Sequence, residues 1–289
     1  MKNFILATRP KTLLAGFIPP LVSFVYFSAQ SFERPYFLLF CCLISATCIQ
    51  IATNFFNDVI DFKKGADQTR KGPMRVTASG RVKPKTITFW AIGASMIAIV
   101  AGYPLIVRGG LPILILGLIS VYLSYGYTGG PLPLAYKGLG ELFVFLFFGL
   151  FSVVGSYYLY AQRIDPSSII LACIYGLLTT TFICINNLRD REEDAKVGKR
   201  TLATRISVKS YQALTLITIF APYFLLHFFK QQSGIYLTFL ALLPATKLAH
   251  ITLTSKDEAL NVGLKFSGIH MIVFSLFFIL SIKYENIFP

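Results

Sequence analysis

Apolar residues run through this chain in long blocks, separated by short polar stretches. Nine such runs, at about 12–29, 36–57, 86–107, 111–128, 138–160, 167–187, 210–229, 234–254 and 264–282, recur from one end to the other. Each is close to the ~20 residues that an α-helix needs to cross a hydrocarbon core of ~30 Å. The runs are continuous rather than alternating, which argues against a membrane β-barrel. The pattern predicts an all-α membrane protein with nine transmembrane helices in a single bundle, one domain over residues 1–289. Most connections are a handful of residues, which forces neighbouring helices to run antiparallel. Two are long, 58–85 and 188–209, and long ordered loops in a tight bundle are commonly functional.

Composition agrees with the pattern. The chain is 55% hydrophobic and 14% charged, with a mean hydropathy of +0.64, whereas soluble domains carry roughly 25% charged residues. The net charge of +14 gains meaning from its placement. Counted by loop, 21 Lys and Arg fall on the side of the N-terminus and of both long loops, and five on the other. That asymmetry predicts that the N-terminus and both loops are cytoplasmic, in a bacterial inner or plasma membrane. The basic residues are spread over membrane-flanking loops rather than one soluble face, so nucleic acid is excluded as a partner and the lipid bilayer is expected. The first run, preceded by Lys2, Arg9 and Lys11, reads as a retained helix rather than a signal peptide, because it contains Pro19-Pro20 and further runs follow. The five cysteines lie inside apolar runs without CxxC spacing and read as small buried residues.

Two polar clusters break the pattern. The first is Asn54-Phe55-Phe56-Asn57-Asp58-Val59-Ile60-Asp61-Phe62-Lys63-Lys64-Gly65-Ala66-Asp67, at the end of the second run. On a helix Asn54, Asp58 and Asp61 fall at i, i+4 and i+7, on one face. Asp67 lies beyond the helix stop expected at Gly65. The second cluster closes the sixth run: Asn186-Asn187-Leu188-Arg189-Asp190-Arg191-Glu192-Glu193-Asp194, then Gly198-Lys199-Arg200-Thr201. Asp190 and Asp194 share a face at i, i+4, while Glu192 and Glu193 point elsewhere and read as solvated. Asn54-xxx-Asp58 and Asn186-xxx-Asp190 echo each other four runs apart, which predicts a 4+4+1 internal repeat with a site between the halves.

Like charges on one face repel unless a cation sits among them, and hard oxygen donors without His or Cys select Mg²⁺. Two acidic clusters on one membrane side, flanked by Lys and Arg, match a diphosphate held through metal ions. An allylic diphosphate could ionise there, with the bundle offering an apolar channel for an isoprenoid tail. Some of the 15 Tyr and 27 Phe could face the resulting carbocation.

These clusters resemble the two aspartate-rich motifs of the UbiA superfamily of intramembrane aromatic prenyltransferases, most closely its 1,4-dihydroxy-2-naphthoate prenyltransferase branch. Arg9-Pro10-Lys11-Thr12, Gly72-Pro73-Met74-Arg75, Tyr127-Thr128-Gly129-Gly130-Pro131 with Gly138-Leu139-Gly140-Glu141, and Gly198-Lys199-Arg200-Thr201-Leu202 extend the likeness in order; beyond about residue 205 only Ala259-Leu260-Asn261 adds to it. The resemblance implies transfer of a polyprenyl group from a polyprenyl diphosphate to 1,4-dihydroxy-2-naphthoate, with decarboxylation, to give a demethylmenaquinone. It implies that Asp58, Asp61, Asp190 and Asp194 hold Mg²⁺–diphosphate, aided by Asn54, Asp67 and Asn187. It places Arg75, Lys199, Arg200, Lys63, Arg70 and Arg9 on the phosphates, and Tyr127 and Tyr136 beside the acceptor. Val59-Ile60 departs from the branch, which often has aromatics there.

His227, His250 and His270 are scattered and read as structural, and Lys247 as a lysine that snorkels from its run. Rival readings are another aromatic acceptor such as 4-hydroxybenzoate or homogentisate, haem as acceptor, or a cation-coupled transporter. The transporter requires carboxylates near mid-membrane, whereas these sit at run ends beside basic residues.

Overall fold

The computed structural model describes residues 1–66, 72–229 and 233–287, with α-helices α1 (Lys2–Thr8), α2 (Pro10–Gln30), α3 (Tyr36–Lys63), α4 (Pro84–Gly126), α5 (Gly140–Val144), α6 (Ser152–Ala161), α7 (Pro166–Lys196), α8 (Leu202–Arg205), α9 (Val208–Leu226), α10 (Leu242–Thr254) and α11 (Leu260–Ile287). No strand occurs among the described residues. Asp67 and Arg70 lie outside them.

By length and apolar composition seven helical stretches suffice to cross a membrane: Pro10–Gln30, Tyr36–Lys63, Pro84–Gly126, Gly140–Ala161, Pro166–Lys196, Ile235–Thr254 and Asp257–Ile282. The sequence pattern predicts nine, and the difference has two sources. The runs at 86–107 and 111–128 are joined in α4, and α9 falls short because its first turns carry Lys209, Ser210 and Gln212.

α4 is not straight. Gly110 has φ 67 and ψ −152, inside an element of 43 residues. Adjacent residues of α3 touch both of its ends: Phe55 packs on Trp90 at 5.9 Å and Phe56 on Tyr125 at 5.6 Å between ring centroids. A straight helix would hold Trp90 and Tyr125 ~52 Å apart. The chain therefore reverses at Gly110, where only glycine takes the backbone angles without strain, and both arms of α4 return to α3.

α7 is the axis of the bundle. Nearly three-quarters of its apolar window is buried, against 17% for α4, whose flanks carry exposed Phe89, Ile97, Ile115 and Leu118. Between α5 and α6 the backbone widens into a π-helical turn, Phe145–Phe151. There Gly149 meets Gly176 of α7 so closely that a Cβ on Gly149 would lie 2.1 Å from the Gly176 Cα. π-turns inside α-helices recur at functional sites, and this one brings Phe147, Phe148 and Phe151 to the central cavity.

Candidate active site

The first acidic segment occupies the last turns of α3. The helix stops where Gly65 takes φ 73. Asp61 is buried, and its carboxylate is held from outside the helix: Arg75 Nη2 donates to Oδ2 at 2.7 Å and Tyr136 Oη to Oδ1 at 2.9 Å. Arg75 also donates to the carbonyl of Asn57 at 2.6 Å, and the Thr128 hydroxyl donates to the Asn57 side-chain oxygen. Asp58 accepts from the Thr77 backbone N–H at 3.2 Å, which fixes the turn after Arg75. Asn54 donates to the Thr8 carbonyl and the Thr12 hydroxyl, tying α3 to the junction of α1 and α2.

The second segment closes α7 and is held differently. Arg189 donates to both oxygens of its neighbour Asp190, at 2.6 and 2.8 Å. The following loop turns back at Gly198 (φ 70), so that Lys199 Nζ lies 3.3 Å from Asp194 Oδ1. The other oxygen of Asp194 is buried without a hydrogen-bond partner among the described residues. Arg191 holds this loop down through the carbonyls of Ala203 and Ile206. Glu193, which the sequence reads as solvated, is buried; Glu192 is exposed.

The two segments share one cavity of about 310 Å3. Asn54, Asn57, Asp61, Arg75, Asn186, Asn187, Asp190 and Lys199 form its polar end, together with Arg9, Thr12, Tyr127 and Thr128. Below them the walls are Ile49, Leu116, Phe143, Phe147, Phe148, Phe151, Phe182 and Ile183. Cys42 and Asp61 both line it from α3, so the cavity follows that helix for ~28 Å.

Charge at the polar end is shared among elements. Burial alone lowers the affinity of Lys199 for its proton, but Asp61 and Asp194 outweigh it and raise the ammonium above its ordinary value. Lys64 Nζ sits 3.8 Å from the centre of the Tyr136 ring and donates to the Thr128 carbonyl at 2.9 Å. For Lys64 burial prevails over Asp61, and its proton is held less tightly than usual. The Tyr136 phenol is driven far up by burial and then by the Asp61 carboxylate, and Tyr127 by burial and then by Glu141. Both stay neutral and can donate.

A model of the UbiA prenyltransferase family matches residues 17–279. The chain belongs to the UbiA prenyltransferase family. Its relatives include the 1,4-dihydroxy-2-naphthoate octaprenyltransferase of Bacillus subtilis (strain 168), 37% identical over 73% of this chain and 67% of that protein. Those of Mycobacterium leprae (strain TN) and Escherichia coli (strain K12) are 32% identical (75% and 74% covered) and 36% identical (72% and 71% covered). A solved UbiA homologue from Archaeoglobus fulgidus, bound to GPP and Mg²⁺, shares the fold with a TM-score of 0.62, at 15% identity over 97% of this chain and 99% of that one.

Within this UbiA-family chain the site residues read from sequence fall into three groups. Asn54, Asp61, Asn187, Asp190, Arg75, Lys199, Arg9 and Tyr127 line the cavity. Asp194 and Tyr136 stand one contact behind it, on Lys199 and Asp61, and Asp58 lies outside the lining, on the Thr77 N–H. Lys63 and Arg200 are exposed and outside the lining. Sequence reasoning assigned no role to Asn57, Asn186, Arg189, Glu141 or Tyr211. Glu141, buried at the start of α5, accepts from Asn187 at 2.9 Å and from the Tyr211 hydroxyl at 2.5 Å. A different register would have found Asn57: Asn57-xxx-Asp61 on α3 matches Asn186-xxx-Asp190 on α7 as well as Asn54-xxx-Asp58 does.

The side chains at the polar end that can ligate a metal offer oxygen, and Asp194 behind them has a buried oxygen unsatisfied among the described residues, which fits a hard cation. Among the described residues no three His, Cys, Asp or Glu side chains converge on one point. Each of Asp61, Asp190 and Asp194 is closed by a basic residue instead.

Proposed function

We propose that the protein transfers a polyprenyl group from an allylic polyprenyl diphosphate to 1,4-dihydroxy-2-naphthoate, with decarboxylation, in menaquinone biosynthesis. The observation that carries this reading is the single cavity joining Asp61, Asp190, Arg75 and Lys199 to a long aromatic-lined depth. The acceptor is supported by relatives 32–37% identical that are 1,4-dihydroxy-2-naphthoate octaprenyltransferases. Homologues bound to GPP or DMAPP with Mg²⁺ support the donor class and the metal.

The departing diphosphate would be stabilised by the positive charge of bound Mg²⁺. Asp61, Asp190 and Asp194 would hold the ion, with Asn54 and Asn187, while Asp58 fixes the Thr77 turn that carries Arg75. Arg75 and Lys199 meet the phosphate oxygens. As the allylic C–O bond breaks, its electron pair leaves with the diphosphate. Phe143 and Phe147 present π faces to the developing cation, and the apolar walls keep water from it. The naphthoate carbon that bears the carboxylate forms the new C–C bond. Loss of CO₂ returns that bonding pair to the ring, so the immediate product is the hydroquinone of the demethylmenaquinone. Tyr127, a neutral donor in the cavity lining, would meet the acceptor, while Tyr136 supports Asp61 from behind.

The same reading gives one membrane domain of nine crossings: α4 contributes two, and α9 is the crossing that composition alone misses. The N-terminus and the polar end of the cavity face the cytoplasm, as the basic loops require. The matched Asn-xxx-Asp ends of α3 and α7 fit a duplicated four-helix unit followed by α11. The test is to incubate membranes holding the protein with Mg²⁺, 1,4-dihydroxy-2-naphthoate and allylic diphosphates of several lengths. Prenylated naphthoquinol is expected. Its absence at every chain length, with protein present and folded, sinks the assignment.

A further inference from the structure

Asn186 and Asn187 are adjacent, both line the cavity, and both are gripped from behind by a buried charge of opposite sign. Arg189 has a side chain with no exposure. Besides Asp190 it donates to the side-chain oxygen of Asn186 at 2.5 Å and to that of Asn261, at the start of α11, at 2.9 Å. Glu141 is 6% exposed and accepts from the side-chain N–H of Asn187 at 2.9 Å. Neither Arg189 nor Glu141 lines the cavity.

An amide has one donor end and one acceptor end, and the partner behind it decides which end is left in front. Arg189 only donates, so it takes the oxygen of Asn186 and leaves the NH₂. Glu141 takes the NH₂ of Asn187 and leaves the oxygen. We propose that Arg189 and Glu141 are positioning residues that set opposite amide polarities side by side: Asn186 presents N–H to diphosphate oxygens, and Asn187 presents a carbonyl oxygen to the cation. This rests on the diphosphate reading given above. It also gives Asn261 a task, since its carbonyl fixes the guanidinium from α11. A lysine at 189 could not hold Asn186, Asp190 and Asn261 at once, because it lacks the planar fork.

The polarity is tested by replacing each amide with its isosteric acid. Asn186→Asp keeps an oxygen for Arg189 but turns a second oxygen, with negative charge, toward the phosphates. Asn187→Asp keeps an oxygen toward the cation but sets two acids against each other at Glu141. Adding Glu141→Gln restores a donor–acceptor pair there with its direction reversed. Two readouts are used on the detergent-purified full chain: the KM for allylic diphosphate, and the concentration of inorganic diphosphate with Mg²⁺ that half-saturates the rise in thermal midpoint.

Asn186→Asp is expected to raise both at least tenfold, the range in which removing supporting groups weakens metal sites. Asn187→Asp with Glu141→Gln is expected to recover most of the loss that Asn187→Asp alone produces. Equal losses in Asn186→Asp and the double variant, or an Asn186→Asp within threefold of wild type, overturn the proposal. Should the double variant not fold, the Asn186→Asp arm decides alone. A wild type that shows the diphosphate thermal shift but transfers nothing to the naphthoate sinks the acceptor assignment and leaves the polarity test standing.

Discussion

The C-terminal ends of α3 and α7 perform matching tasks with different construction. Asp61 on α3 receives Arg75 from 14 positions along the chain and Tyr136 from 75 along. Asp190 on α7 receives Arg189 from the preceding position, inside a helix that is mostly buried. One wall of the site is thus assembled from loops, and the other is carried by the bundle's axis. Both guanidiniums are buried, but Arg75 is carried by a loop and can leave with its segment, whereas Arg189 is fixed on the same helix as Asp190. The α3 wall is built to adjust and the α7 wall to stay.

The sharpest way to break this contrast is to remove each carboxylate and compare thermal midpoints with transfer rates. Asp190→Ala strands Arg189 in the interior and is expected to cost about 3–5 kcal/mol, which lowers the midpoint by roughly 10 °C or more. Asp61→Ala also unpairs a buried guanidinium, but one on a loop that can carry it toward water, and the cost is expected to be lower, near 1–3 kcal/mol. Both should lose transfer by about 100-fold or more. Equal thermal losses would end the distinction between the walls.

Arg75→Lys comes next. It gives up the fork that spans Asp61 and the Asn57 carbonyl, and the donor KM is expected to rise about tenfold with little change in midpoint. Tyr136→Phe keeps the ring beneath Lys64 and removes only the hydrogen bond to Asp61. A rise of roughly threefold in donor KM is expected, because Arg75 still holds the carboxylate. A larger effect than that of Arg75→Lys would show the phenol to be the main support.

The smallest effect is in pH. Lys199 is raised above its unfolded value, so its stabilising contribution is complete below the ordinary lysine range and fades as pH climbs through the raised value. The thermal midpoint of wild type should therefore exceed that of Lys199→Met by a constant margin at neutral pH. The two should converge only at strongly alkaline pH. A margin that already shrinks between neutral pH and mild alkalinity contradicts the raised value.

Much of this architecture is legible in the chain. The apolar runs locate the membrane helices, and the two Asn/Asp clusters lie at one cavity because both end runs on the same side. Side-chain direction is less legible. Asn54, Asn57, Asp58 and Asp61 fall within about 100° around α3, and periodicity does not say which edge of that arc meets the cavity. Only the packing of Thr77 shows where Asp58 points. Glu193 has the same history: a charged residue in an acidic stretch reads as solvated, yet tertiary packing buries it. Arg189 looks like one more loop cation in sequence, and its burial depends on α11, 72 positions away.

The reversal at Gly110 also bears on how the chain enters its membrane. The two arms of α4 are joined without any intervening polar loop, and the turn carries a single charge, Arg108, whose Nε donates to the Leu159 carbonyl. A helical hairpin of this kind drags almost nothing hydrophilic through the hydrocarbon, so both arms can partition from the translocation machinery as one piece. α3, already inserted, would receive them together. Once α2 and α3 have met, the next tertiary unit assembled during synthesis would be the three-helix layer of α3 and the arms of α4, with the α3 wall of the cavity in place before α7 has been translated.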